Sequence, residues 1–188
     1  MNAADFDAYL GSCRDLVLQE IRSLVPPTRR PGDVLPELVL DYPMRAAKGL
    51  RPALCIATCR AYGGSLEGVL RSAAALELYH NAFLIHDDVE DGSETRRGHD
   101  TLHAVHGMPI AINVGDAMLA LALQPLLDNT RLVGLGKALR ILDLVAWMAR
   151  ESTAGQAIEL EWIRAHRFDL RDTDYVRMVY KKTSCYTF

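Results

Sequence analysis

The sequence predicts an all-α fold, and three observations carry that expectation. Apolar residues recur at helical spacing almost throughout the 188 residues. No run alternates Val, Ile or Thr with polar residues, and the Asp91-Gly92 pair is followed by charged residues rather than by a second apolar strand. Breaks at Pro26, Pro27, Pro31, Pro36 and Gly63-Gly64 separate segments long enough to be helices. Packing such segments gives a bundle or an orthogonal array.

Taken in order, residues 5–24 form a first helix that the prolines then end. A short helix follows over 38–47, and another over 50–62, stopped by Gly63-Gly64. Residues 66–91 are long and strongly apolar, and 92–100 are polar and read as a loop. Leu102–His106 is a helical turn. Residues 108–128 are too apolar for a surface helix and are expected at the centre of the bundle. Helices over 132–164, with Gly155 the place for any interruption, and over 172–187 complete the chain. No repeat or domain boundary is visible, so residues 1–188 read as one domain.

Composition narrows the function. Hydrophobic residues are 49% and charged residues 24%, as in ordinary globular chains. A net charge of −3 leaves no basic excess for nucleic acid. No apolar run approaches the ~20 residues of a membrane span, and the start MNAADFDAYL has no basic region of a signal peptide. A cytoplasmic protein is the expectation. Cys13 and Cys185 stand alone. Cys55 and Cys59 are four apart and share a helical face, which reads as buried, reduced thiols rather than a zinc pair.

The chemistry gathers around Asp87-Asp88-Val89-Glu90-Asp91. Asp87 and Asp91 are four apart and share a face, at a helix end whose dipole disfavours acids. A solvated acidic helix end is one reading. The preceding Phe83-Leu84-Ile85-His86 looks buried, however, and a buried carboxylate cluster needs a cation. Carboxylate-only ligands point to Mg²⁺, which commonly takes one or two carboxylates plus substrate phosphates. Arg96-Arg97-Gly98 follows in the loop, and arginine grips phosphate by bidentate hydrogen bonds. His80 lies on the stripe of Leu84, Asp87 and Asp91, either lining the same cleft or as a satisfied core histidine. Lys48 with Arg51, and Lys181-Lys182-Thr183, are further basic groups. His99, His103 and His106 leave open a metal-hydrolase reading, against surface histidines near a loop. No G-x-S-x-G or Walker A run is present.

In this order the motifs resemble those of the trans-isoprenyl diphosphate synthases (polyprenyl synthetases). Residues 77–91 are similar to that family's first aspartate-rich motif with its lead-in helix. Arg96-Arg97-Gly98, Lys48-Gly49-Leu50-Arg51-Pro52, Asn113-Val114-Gly115-Asp116, Gly155-Gln156 and Lys182-Thr183 sit where the family carries such groups. The resemblance implies an isoprenoid-synthase-like helical bundle around an apolar cavity. It implies condensation of isopentenyl diphosphate with an allylic prenyl diphosphate. It assigns Mg²⁺ to Asp87, Asp88 and Asp91, and the allylic diphosphate to Arg96, Lys182 and Thr183. Isopentenyl diphosphate falls to Lys48, Arg51, His80 and Arg97, and Gln156 faces the same cleft.

The family also carries a second aspartate-rich motif, and no second DDxxD follows Asp91 here. The chain is therefore expected to lack the C-terminal portion of the family fold. Phe83, one turn before Asp87, and the small Ala82 beside it suggest a product of C15 to C20, against simple core packing. Two alternatives remain: a class I terpene cyclase, and a non-catalytic subunit. Lys48, Arg51, His80 and Arg97 argue for elongation. The short length and Cys55-x-x-x-Cys59, which resembles a pattern of heteromeric relatives, favour the subunit. A homodimer, or a heteromer with a full-length homologue, is what the resemblance implies.

Overall fold

The computed structural model describes residues 3–187. Its helices run α1 (Ala3–Leu24), α2 (Leu35–Met44), α3 (Leu50–Ala61), α4 (Leu66–Glu90), α5 (Leu102–His106), α6 (Met108–Leu121), α7 (Leu123–Leu132), α8 (Leu135–Arg164) and α9 (Asp172–Lys182). The all-α expectation stands. A minimal hairpin, β1 (Thr95–Arg96) with β2 (His99–Asp100), joins α4 to α5, and a 3₁₀ turn over Ser184–Tyr186 follows α9. The chain divides into two compact units, one up to Ala138 and one from Leu139.

The first unit is organised on α4. Ser65 caps it, its hydroxyl accepting from the Gly68 N–H at 3.1 Å. Ala73, Ala74 and Ala75 are all fully buried. Three consecutive buried positions sweep about 200° of the helix, and α1, α3, α6 and α7 pack against α4. Alanine lets those backbones approach closely. Further along, Leu78, Ala82 and Ile85 continue the buried side to the acidic end.

Several boundaries differ from the sequence expectation. Helix α2 begins at Leu35 because Pro36 occupies its first turn, where a missing N–H costs nothing, and so opens the helix rather than breaking the chain. The expected central helix is two helices, broken at Ala122. Pro125 explains the break, since its ring cannot donate to Leu121 and crowds that carbonyl. The central position belongs to α4. Helix α6 buries Ala111, Val114, Gly115 and Met118, while Met108, Ile110 and Ile112 remain exposed. The sequence shows no continuous apolar run of membrane-spanning length, but a wider window passes. Met108–Leu132 is long and apolar enough, by length and composition alone. Core helices pass the same test, and α6 and α7 both pack on α4.

In the second unit α8 runs unbroken through Gly155. That glycine permits close approach of α9: a Cβ there would lie 2.7 Å from Lys182 Cα and 2.9 Å from the Lys181 carbonyl carbon. On the same face of α8, one turn to either side, Glu151 pairs with Lys181 and Glu159 with Lys182. The final helix ends at Lys182 and gives way to the 3₁₀ turn, earlier than the sequence suggested.

Substituting Gly155→Ala would press a methyl group into backbone, which cannot rotate away. We expect a loss of about 1–3 kcal/mol. Gly136→Ala, in the same helix with nothing within 4 Å of its added Cβ, should instead gain about 0.5–1 kcal/mol. Calorimetric unfolding of both variants checks the contrast.

Candidate active site

Helix α4 ends in acid. The Asp91 N–H closes its last turn on the Asp87 carbonyl at 2.8 Å. Asp87 is half-buried and Asp91 exposed, whereas Asp88 is fully buried. Both Asp88 oxygens are engaged: Oδ2 accepts from the Tyr42 hydroxyl at 2.5 Å, and Oδ1 accepts from Arg96 Nε at 2.9 Å and from Arg96 Nη2. Burial, then the Asp88 contact, pushes the Tyr42 phenol well up from its ordinary range. The bond to Asp88 likewise raises the Arg96 guanidinium.

The loop expected over 92–100 is the β1–β2 hairpin. Its two-residue turn is Arg97-Gly98, with φ of 54° and 80°, so both residues occupy the left-handed region that such turns require. The turn was missed because arginine is not among the residues that signal it. Arg45 braces the hairpin from below. Its Nη1 donates to the Arg96 carbonyl at 3.0 Å, its Nη2 to the Asp100 carbonyl at 2.7 Å, and its Nε to Asp41 at 2.7 Å. The Arg45 guanidinium also lies 4.3 Å from the Tyr42 ring centroid. Arg97 reaches back to the Tyr42 carbonyl at 3.1 Å.

A second group of cations lies along α4 toward its N-terminus. Arg51 Nη1 stands 3.2 Å from His80 Nε2. Burial first, then the charges of Arg51, Arg97 and Arg96, pushes the imidazole down to about 3. His80 is therefore neutral, with Nε2 accepting from Arg51 and the proton on Nδ1. Glu77, three residues earlier, is buried. Desolvation raises its carboxyl, against a bond from Asn81 and the fields of Arg97, Arg51 and Arg14. Burial lowers Arg97. Arg14 donates to the carbonyls of Pro43, Met44 and Arg45 at 3.0–3.4 Å. Gly49, at φ 65°, begins α3, and a Cβ there would lie 2.7 Å from Arg14 Cβ. That explains the glycine between Lys48 and Arg51. Lys48 itself is exposed.

Lys182 and Thr183 belong to the second unit, where Lys182 pairs with Glu159 and Thr183 ends α9. Among the described residues, no three His, Cys, Asp or Glu side chains form a group able to hold a metal by themselves. This corrects the metal-hydrolase alternative built on His99, His103 and His106. It also bears on the aspartates: Asp88 turns into the protein while Asp87 and Asp91 remain at its surface.

The sequence model of the polyprenyl synthetase family matches residues 34–188. The chain belongs to the polyprenyl synthetase family. A short chain isoprenyl diphosphate synthase of Methanothermobacter thermautotrophicus is 33% identical over 157 residues, covering 81% of this chain and 47% of the relative. A geranylgeranyl diphosphate synthase of Sulfolobus acidocaldarius is 29% identical over 181 residues, covering 95% and 53%. Among solved structures, geranylgeranyl pyrophosphate synthetase from Pyrococcus horikoshii superposes with a TM-score of 0.88 at 29% identity, covering 97% of this chain and 54% of that one. The chain thus spans about half the length of the curated relatives it matches.

The Asn113-Val114-Gly115-Asp116 segment has a local reason. The absence of a side chain at Gly115 admits His86, whose Cδ2 would lie 2.7 Å from an added Cβ. His86 Nε2 is then 3.5 Å from Asp116 Oδ1. Tyr42, Arg45 and Arg14 escaped the sequence reading, and Glu77 lay in the 77–91 motif without a role of its own. A tyrosine and an arginine at the end of a short helix carry no motif, and their partners lie 46–55 residues away.

The depressed His80 pKa has a sign. Between about 6.5 and 3 the folded chain binds fewer protons here than the unfolded chain, so the stability present above pH 6.5 is lost as pH falls through that window. Glu77, raised by burial, acts in the opposite direction. The test is therefore a difference. His80→Gln should flatten the decline in thermal midpoint between pH 6.5 and 4.5 relative to the wild type. Parallel curves would refute it.

Proposed function

We propose that this chain forms part of a short-chain prenyl diphosphate synthase, which joins isopentenyl diphosphate to an allylic diphosphate. The observation that carries the reading is the end of α4. There two solvent-facing aspartates stand beside a hairpin that presents paired arginines, and a neutral histidine lies among further guanidinium groups. Charge is separated along one helix: carboxylates for a metal-bound diphosphate at its end, cations for a second diphosphate two turns back.

Asp87 and Asp91 are the residues we assign to Mg²⁺. They share a face, one half-buried and one exposed, which suits a hard cation that takes one or two carboxylates and completes its shell with water and phosphate. Asp88 is assigned to holding Arg96 rather than to the metal, because both of its oxygens are committed. When bound, Mg²⁺ supplies positive charge to the departing diphosphate. Arg96 is assigned to the allylic diphosphate; Lys182 and Thr183 keep that assignment only through their motif. Lys48, Arg51, His80 and Arg97 are assigned to isopentenyl diphosphate.

In the reaction the allylic carbon–oxygen bond breaks heterolytically and both electrons leave with the diphosphate. The double bond of isopentenyl diphosphate attacks the allylic cation, and a proton is lost from the new chain. Fixed guanidinium groups stabilise the leaving charge without reorganising. Neutral His80 orients rather than repels, and apolar side chains beyond Asp87 would keep water from the cation. Phe83, edge-to-face with Tyr79 at 6.0 Å, supports a floor for a C15–C20 product. Exposed Leu139 and Leu144 on α8 support association, as a homodimer or with a longer homologue.

The test incubates the purified chain with Mg²⁺, labelled isopentenyl diphosphate and geranyl or farnesyl diphosphate, alone and with a full-length homologue. Chain-elongated product is expected. Asp87→Asn and Asp91→Asn should each reduce it at least 100-fold, about 2.7 kcal/mol of transition-state stabilisation. Cyclised hydrocarbon without use of isopentenyl diphosphate would instead establish a cyclase. Failure of either mixture to bind Mg²⁺-diphosphate would overturn the site.

A further inference from the structure

Tyr42 has no place in the motif reading, yet contacts from Asp88, Arg45 and Arg97 converge on it. It is fully buried in the last turn of α2. Its hydroxyl donates to Asp88 Oδ2 at 2.5 Å, its ring carries the Arg45 guanidinium, and its carbonyl accepts from Arg97 at 3.1 Å. The remaining Asp88 oxygen is left to Arg96. We propose that Tyr42 is a positioning residue: its hydroxyl fixes the Asp88 carboxylate, which in turn aims the Arg96 guanidinium at the diphosphate held by Asp87 and Asp91. The inference rests on the diphosphate reading above.

A carboxylate has two oxygens, and a side chain at the end of a helix can turn about its χ angles. With Oδ2 tied to a phenol inside the core, Asp88 keeps a single orientation and offers Oδ1 to the hairpin. Arg96 is about one-third exposed, and its Nε and Nη2 both meet Asp88 Oδ1. Its backbone is held independently, by Arg45 on the Arg96 carbonyl. Tyr42 thus governs the direction of the side chain, and Arg45 the place of the strand. Removing the hydroxyl should loosen Arg96 while leaving the hairpin where it is.

Tyr42→Phe keeps the ring under Arg45 and the carbonyl under Arg97. Two measurements on the full chain decide the matter. In nitrogen–proton correlation spectra, the Arg96 Nε–H resonance should move and exchange faster in the variant. The Arg45 Nε–H resonance, which reports its bond to Asp41, should stay. In titration calorimetry with Mg²⁺ and inorganic pyrophosphate, the variant should bind about tenfold more weakly, equivalent to about 1.4 kcal/mol. An unmoved Arg96 resonance overturns the proposal, as does equal affinity in wild type and variant. A wild type that binds no pyrophosphate overturns the diphosphate reading itself, and this inference with it. Should Tyr42→Phe not fold, Asp88→Asn cuts the same chain of contacts at its next link while keeping side-chain volume. It should weaken pyrophosphate binding to the same degree, and unchanged affinity there overturns the proposal.

Discussion

A buried carboxylate at the negative end of a helix is the constraint from which the rest of the site follows. The last five residues of the α4 region include Asp87, Asp88, Glu90 and Asp91, and the helix dipole opposes all of them. Three can meet water. Asp88 cannot, and an ionised buried carboxylate is tolerated only with a cation and a full set of hydrogen bonds. Arg96 supplies the charge and Tyr42 the remaining bond. Each recruit then needs its own support. Arg45 satisfies the Arg96 and Asp100 carbonyls and rests on the Tyr42 ring, while Arg97 closes on the Tyr42 carbonyl. The end of α2, the hairpin and the end of α4 are therefore one polar network, and removing a member leaves a polar group without its partner.

The network also sorts the basic residues by task. Arg14 and Arg45 spend their donors on backbone carbonyls and hold loops in place. Arg51 and Arg97 stand near buried Glu77, whose field offsets part of the repulsion that Arg97 meets from Arg14, Arg96 and Arg45. His80 meets the same crowd of positive charge and stays neutral. A cluster of like charges is kept together by one buried acid, one neutral imidazole and a set of carbonyl dipoles, which leaves net positive potential for an anionic ligand.

Much of this was legible in the sequence, and the limits have physical causes. Helical periodicity located α1, α3, α4 and α5 to within two residues, because glycine, proline or polar segments bound each of them. It failed at Pro36 and Pro125, each of which lies in the first turn of the helix that follows it. The aspartates, Arg96, Arg97, Arg51 and His80 were recognisable because they fall within short motifs. The distinction between inward Asp88 and outward Asp87 and Asp91 was not, since adjacent positions on a helix differ by 100° of rotation and only the partner at residue 42 says which way is in. Tyr42 and Arg45 act across long separations, where single-sequence pattern carries no signal.

The turn at Arg97-Gly98 bears on how this chain would respond to engineering. Arginine at φ 54° occupies a conformation that costs an L-residue about 1 kcal/mol and that glycine or asparagine adopts with ease. A selection for thermostability alone would thus find relief at position 97 by discarding the guanidinium. Local comfort of the backbone and retention of the cation pull in opposite directions at this one residue, so a screen scored only on folding would enrich variants with a firmer hairpin and a weakened ligand site.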